Sequence, residues 1–142
     1  MKFTTPILLL SAAMTAMAGT NVEVKYDTTY DTASLSTLSV ACSDGTNGLN
    51  TKGYATLGSL PSFPNVGAAA AVTGWNSDQC GKCFKLYYQG KTLYVTAVDA
   101  AYGVGFVLSK AALDTLTGGK AAMLGKVTAS YAPAASNLCG FN

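Results

Sequence analysis

The chain predicts a mainly β fold, a small closed barrel of six or seven short strands with a few short helices. Two observations lead there. Short runs rich in valine, threonine and tyrosine alternate in strand fashion between glycine- and asparagine-bearing turns. A single stretch, by contrast, carries a full helix signature with cap, apolar side and stop.

The elements follow in order. Residues 1–18 (MKFTTPILLLSAAMTAMA) combine Lys2, an apolar run from Pro6 to Ala18 and a small-x-small end at Ala16-Met17-Ala18. That is a secretory signal peptide, with cleavage expected within a few residues of Ala18. The apolar run is too short to cross a bilayer, which takes about 20 residues. Residues 19–142 then form one domain, long enough to bury roughly two-thirds of their unfolded surface.

Val22-Glu-Val-Lys-Tyr26 alternates as a strand, and Ser39 to Cys42 reads as another. Ser43 to Gly48, SDGTNG, is a turn carrying both Asp-Gly and Asn-Gly. Thr56 to Leu60 suits one helical turn stopped by Pro61 and Pro64. Ala68 to Thr73 is an apolar run of small residues, expected as a buried strand. Phe84–Tyr88 and Lys91–Val98 flank Gln89-Gly90 as a hairpin. The helix is Ser109 to Leu116, capped by Ser109 and ended by Gly118-Gly119. Lys126 to Tyr131 is the last strand.

Composition narrows the function. Residues 19–142 hold eight lysines, no arginine, no histidine and seven acids, a balance of about +1. No basic stripe exists for nucleic acid or an anionic membrane, so neither is expected as a partner. Lack of histidine removes imidazole triads and imidazole-ligated metals. No G-x-S-x-G occurs, and Gly103-Val-Gly105 lacks the third glycine of a dinucleotide loop, so no cofactor is expected.

Cys80-Gly-Lys-Cys83 raises redox and metal readings. Zinc would need all four cysteines, yet only one close pair is present. A redox dithiol expects a helix at its first cysteine, whereas FKLYYQG after Cys83 reads as a strand. In an oxidising compartment Cys42, Cys80, Cys83 and Cys139 instead suit structural disulfides. Three pairings are open. A direct Cys80–Cys83 bridge would constrain little, whereas two long closures such as Cys42–Cys80 and Cys83–Cys139 would each contribute about 4 kcal/mol.

Aspartates are the remaining acid-base candidates. Asp99 ends the apolar strand YVTAV and precedes Ala-Ala-Tyr-Gly, a placement suited to a barrel mouth or, more simply, to a backbone-bonded turn. Glycoside hydrolysis would require a second carboxyl group about 5–9.5 Å away, for which Asp44, Asp27 and Asp31 are the candidates. Asp44, within Asp-Gly, also suits a plain turn. Eight tyrosines, Tyr30 and Tyr102 among them, could stack on sugar rings or serve as core with wet hydroxyls. Trp75 is expected to pack against the disulfides.

VKYDTTYD (24–31), VACSDGTNGLNTKGY (40–54), LPSFPNVG (60–67), GWNSDQCGKCFKL (74–86) and YVTAVD (94–99) together resemble the cerato-platanins, small secreted fungal proteins. The resemblance covers essentially all of residues 19–142. It implies a six-stranded double-psi β-barrel related to the first domain of expansins, with pairs Cys42–Cys80 and Cys83–Cys139. It also implies non-catalytic binding of chitin oligomers or other wall polysaccharides, wall loosening, elicitation of plant defence through a possible plant receptor, and self-association at interfaces. Asp99 matches the aspartate closing the family's YVxAxD strand. Two positions depart: Ala100 stands where many members have histidine, and Phe84 where tryptophan is frequent.

The leading expectation is therefore a secreted, non-enzymatic polysaccharide binder with a shallow face of Asp99, Asp44, Asn47 and Tyr30. A weak glycosidase using Asp99 with another carboxylate, and a surface-active or host-recognised protein, are the competing readings.

Overall fold

The structure, a computed structural model, describes residues 19–142, and the expected signal peptide lies outside them. Six strands are present: β1 (Thr20–Tyr26), β2 (Val66–Ala69), β3 (Cys83–Tyr88), β4 (Lys91–Ala100), β5 (Phe106–Leu108) and β6 (Lys126–Ala134). They close a barrel in the order β1-β5-β2-β4-β3-β6. Two neighbouring pairs, β1/β5 and β2/β4, are parallel, and the other four are antiparallel. Parallel neighbours cannot be joined by a tight turn, so the chain must cross over between them. This is the six-stranded double-psi barrel that the resemblance implies.

The hairpin β3–β4 forms where the alternation places it. Gln89 (φ 46°) and Gly90 (φ 85°) both adopt positive φ, which the favoured two-residue hairpin turn demands. Inside the barrel, Val24, Val66, Leu86, Val95, Val98 and Leu108 are essentially solvent-free. Phe84, Phe106 and Tyr131 meet in edge or tilted contacts with ring centroids 5.4–6.2 Å apart. Gly67 lets β2 pass tightly against β5: a Cβ there would lie 2.4 Å from Val107 O and 2.7 Å from Leu108 Cα.

Helix α1 (Lys110–Thr117) covers the barrel with Ala112, Leu113 and Leu116, all buried. Buried Ser109 caps it, accepting from Ala112 N at 3.0 Å and donating to Pro64 O at 2.5 Å. Gly118, at φ 71°, ends it in the left-handed conformation. A shorter helix, α2 (Ala121–Leu124), follows. The turn expected at Thr56–Leu60 is a single 3-10 turn, Leu57–Ser59.

Two strand expectations are corrected. Ser39–Cys42 is not a strand, because its amides are taken elsewhere: Ala41 N donates to the Asp99 carboxylate and Cys42 N to Val98 O. The buried run expected at Ala68–Thr73 is shifted to Val66–Ala69, since the chain turns after Ala69, with Val72 N donating to Ala69 O.

Cys42 is bonded to Cys80 and Cys83 to Cys139, with Cα–Cα separations of 5.3 and 5.8 Å. The CxxC is thus a junction. One sulfur holds the loop after residue 40, and the other holds the C-terminal segment against β3.

Candidate functional site

β2 and β4 are in register at Val66–Thr96 and Gly67–Ala97, and then slip by one residue. Ala68 faces Asp99, which leaves Val98 unpaired against β2. Such a bulge re-aims the side chains that follow it. Here it presents the Asp99 carboxylate to three donors: Tyr30 Oη at 2.8 Å, Ala41 N at 2.9 Å and Ala100 N at 2.9 Å.

Tyr30 sits on the 3-10 turn Thr28–Asp31 that follows β1, a turn capped by Asp27 accepting from Thr29 N. Its ring is buried, so only the hydroxyl reaches Asp99. Burial first, then the hydrogen bond to Asp99 and that carboxylate's charge, push the Tyr30 phenol well above the ordinary tyrosine range.

A second cluster lies along the same chain segment. Ala41 contacts Asp99, and Asp44 follows three residues later, within about 11 Å of extended backbone. Asp44 Oδ1 accepts from the indole Nε1 of Trp75 at 2.7 Å. Asn47 N donates to Asn76 Oδ1 at 2.9 Å, and Asn47 Nδ2 donates to Asn76 O at 3.1 Å. Gly45 makes the close approach possible. At φ 81° it tolerates a conformation few side chains adopt, and a Cβ there would meet Trp75 Cζ2 at 2.9 Å. The loops Ser43–Gly48 and Gly74–Ser77 are therefore zipped together, with the Cys42–Cys80 bridge beside them.

Trp75 departs from expectation. Rather than packing on the disulfides it is 63% exposed, with its indole edge anchored and its ring open to water. Tyr102, three residues beyond Asp99, is 77% exposed, and its hydroxyl reaches 3.5 Å from Thr73 O beside the Trp75 loop. The sequence points to Tyr102 only as one of eight tyrosines that could stack on sugar, and places Trp75 against the disulfides rather than at a contact face. The available signal was a lone tryptophan framed by Gly74 and Asn76, residues that favour turns over a core.

The four expected contact residues thus fall into two kinds. Asp99 and Asp44 present carboxylates, one partly buried and one exposed. Tyr30 and Asn47 stand behind them, with their polar groups committed to holding Asp99 and the Asn76 loop. The expected second carboxylates are also committed: Asp27 caps its turn, and Asp31 accepts from Lys110 N and Ala111 N at 2.7 and 3.0 Å. Among the described residues no group of three or more histidine, cysteine, aspartate or glutamate side chains could hold a metal ion.

Comparison with known proteins agrees with this architecture. The cerato-platanin family model matches residues 22–141. The chain is 47% identical to "Allergen Asp f 15" of Aspergillus fumigatus over 150 residues, covering 98% of this chain and 97% of that one. It superposes on the crystal structure of cerato-platanin 3 from M. perniciosa with a TM-score of 0.82 and 44% identity, over 86% of this chain and 100% of that chain. On the solution structure titled "the fungal elicitor Cerato-Platanin" the TM-score is 0.74 at 38% identity, covering 83% and 96%. With its closed barrel, paired sulfurs and near-complete family match, the chain belongs to the cerato-platanin family.

Proposed function

We propose that this protein is secreted and binds wall polysaccharide, chitin oligomers above all, without cleaving it. The observation that carries this reading is the exposed Trp75 ring, anchored by Asp44 and neighboured by exposed Tyr102. Sugar rings offer C–H faces to aromatic rings and hydroxyls to carboxylates, and this face supplies both. Asp99 and Asp44 serve as acceptors for sugar hydroxyls. Tyr30 and Asn47 keep the frame rigid, which lowers the ordering cost of binding.

The commitment of the carboxylates supports a non-catalytic reading. A general acid must deliver a proton to the glycosidic oxygen, yet the Asp99 oxygens already face three donors. None of the relatives reported above is named as an enzyme. Recognition by a host, as in elicitation of plant defence, fits the same exposed face. The two disulfides suit an extracellular setting.

Because Trp75 is the single tryptophan of the chain, its fluorescence reports on this face alone. Chitotetraose is expected to change the emission saturably, and Trp75→Ala, whose ring is exposed, is expected to abolish retention on chitin while the fold persists. Unchanged emission at millimolar chitotetraose, with full retention of Trp75→Ala on chitin, would overturn the reading.

A second reading, surface activity with self-association, is favoured by Leu38, Met123, Leu124 and Leu138, which are 57%, 73%, 40% and 48% exposed.

A further inference from the structure

A pocket of about 310 Å³ opens on walls that share no residue with the Trp75–Asp99 face. Its floor is Leu49, 1% exposed, together with the Cys80 side of a disulfide. One wall is the edge-to-face pair Tyr54–Phe141, with centroids 5.6 Å apart and planes at 83°. Lys52, Lys82 and Ser136 complete the lining.

The walls are preset. Tyr54 N donates to Leu49 O at 3.0 Å, and Tyr54 O accepts from Thr37 Oγ1 at 2.7 Å. Phe141 N donates to Ser136 O at 3.2 Å, and Cys139 between them is bonded to Cys83. Gly81, at φ 77°, borders the Lys52 ammonium: a Cβ built on it would lie 3.9 Å from Lys52 Nζ and 3.4 Å from Leu49 Cδ2, both ordinary contact distances.

Charge sets this pocket apart. Among the described residues the salt bridges are Lys110–Asp114 and Lys126–Glu23, so neither Lys52 nor Lys82 has an acidic partner. No carboxylate side chain lines the pocket. Two lysines without an acidic partner, lining a pocket with an apolar floor and an aromatic wall, complement an anion with a flat or ring-shaped body. The volume is near the lower end of small-molecule sites, about 300–1,000 Å³, which suits one ring better than an oligomer.

We propose that this pocket binds a small carboxylate carried on a single ring. The carboxylate lies between Lys52 and Lys82, the ring body packs against Tyr54 and Phe141, and a ring hydroxyl reaches Ser136. Two sources share this chemistry, an aromatic acid and a uronic acid sugar. The site is separate from the glycan face and does not depend on that reading.

The test is an amide-shift titration of the protein at low ionic strength with 4-hydroxybenzoate, with D-galacturonate and with neutral 4-hydroxybenzamide. At least one carboxylate is expected to move the amides of Leu49, Tyr54, Gly81 and Phe141. A response to 4-hydroxybenzoate alone assigns the aromatic source, to galacturonate alone the sugar acid, and to both the shared chemistry. Lys52→Gln with Lys82→Gln is expected to weaken binding about tenfold through loss of charge-assisted contacts, and added salt to weaken it in the same direction. Both lysines are exposed, so that variant keeps its fold, and an unchanged unfolding midpoint verifies it. The proposal fails if neither carboxylate moves these amides, if the neutral amide binds equally well, or if the double variant binds as tightly as wild type.

Discussion

Tyr30 joins its hydroxyl to Asp99 across 69 positions of sequence, and the pairing makes the phenol a pH-dependent part of the fold. Its folded pKa lies above the unfolded value of about 10. The sign follows: its contribution to stability is complete below about pH 10 and is lost as pH rises through the higher folded value. Wild type should therefore show a phenol that ionises late in a 295 nm alkaline titration, a step missing from Tyr30→Phe. At neutral pH the same variant, leaving Asp99 Oδ2 without its donor, should lose about 1–3 kcal/mol in denaturant unfolding. An ordinary ionisation of all eight tyrosines near pH 10 would contradict the pairing. Asp99 itself was legible in the sequence as a carboxylate ending an apolar strand. Tyr30 was legible as a member of the same face, but as a sugar contact; its bond to Asp99 was not, because a contact between residues 30 and 99 leaves no local trace.

Among the elements, those whose signals are local were legible and those defined by distant neighbours were not. The β3–β4 hairpin declares itself through Gln89-Gly90, and α1 through Ser109 and Gly118. β5 is three residues long and acquires meaning only by pairing with β1 on one side and β2 on the other. The bulge opposite Gly67–Ala68 has no sequence signature either, yet it aims Asp99. Helix α1 carries an added long-range tie: Asp31 accepts from its first two amides, where the dipole favours negative charge. Asp31→Ala is expected to cost about 1–2 kcal/mol in denaturant unfolding, and Asp31→Asn less. If Asp31→Ala unfolds at the wild-type denaturant midpoint, the tie contributes nothing. A loss would place the cohesion of the Tyr30 turn with the helix in this one carboxylate.

Over the whole molecule, apolar side chains outside the core carry the surface-activity reading. Purified protein of residues 19–142 should lower the surface tension of water. Replacing Met123 and Leu124 by glutamine should reduce that effect without altering chitin retention, since neither residue belongs to the Trp75–Asp99 face. A surface tension no lower than that of an ordinary globular protein would remove this reading and leave glycan binding untouched.

Closure of the barrel has its own consequence. Every strand has a neighbour of the same chain on both sides, so the edge open to a foreign strand is confined to stretches where the pairing is staggered, Thr20–Glu23 beside β5 and Lys91–Val95 beside β2. The exposed rings of Trp75 and Tyr102 thus stand on a scaffold that offers a foreign strand little free edge.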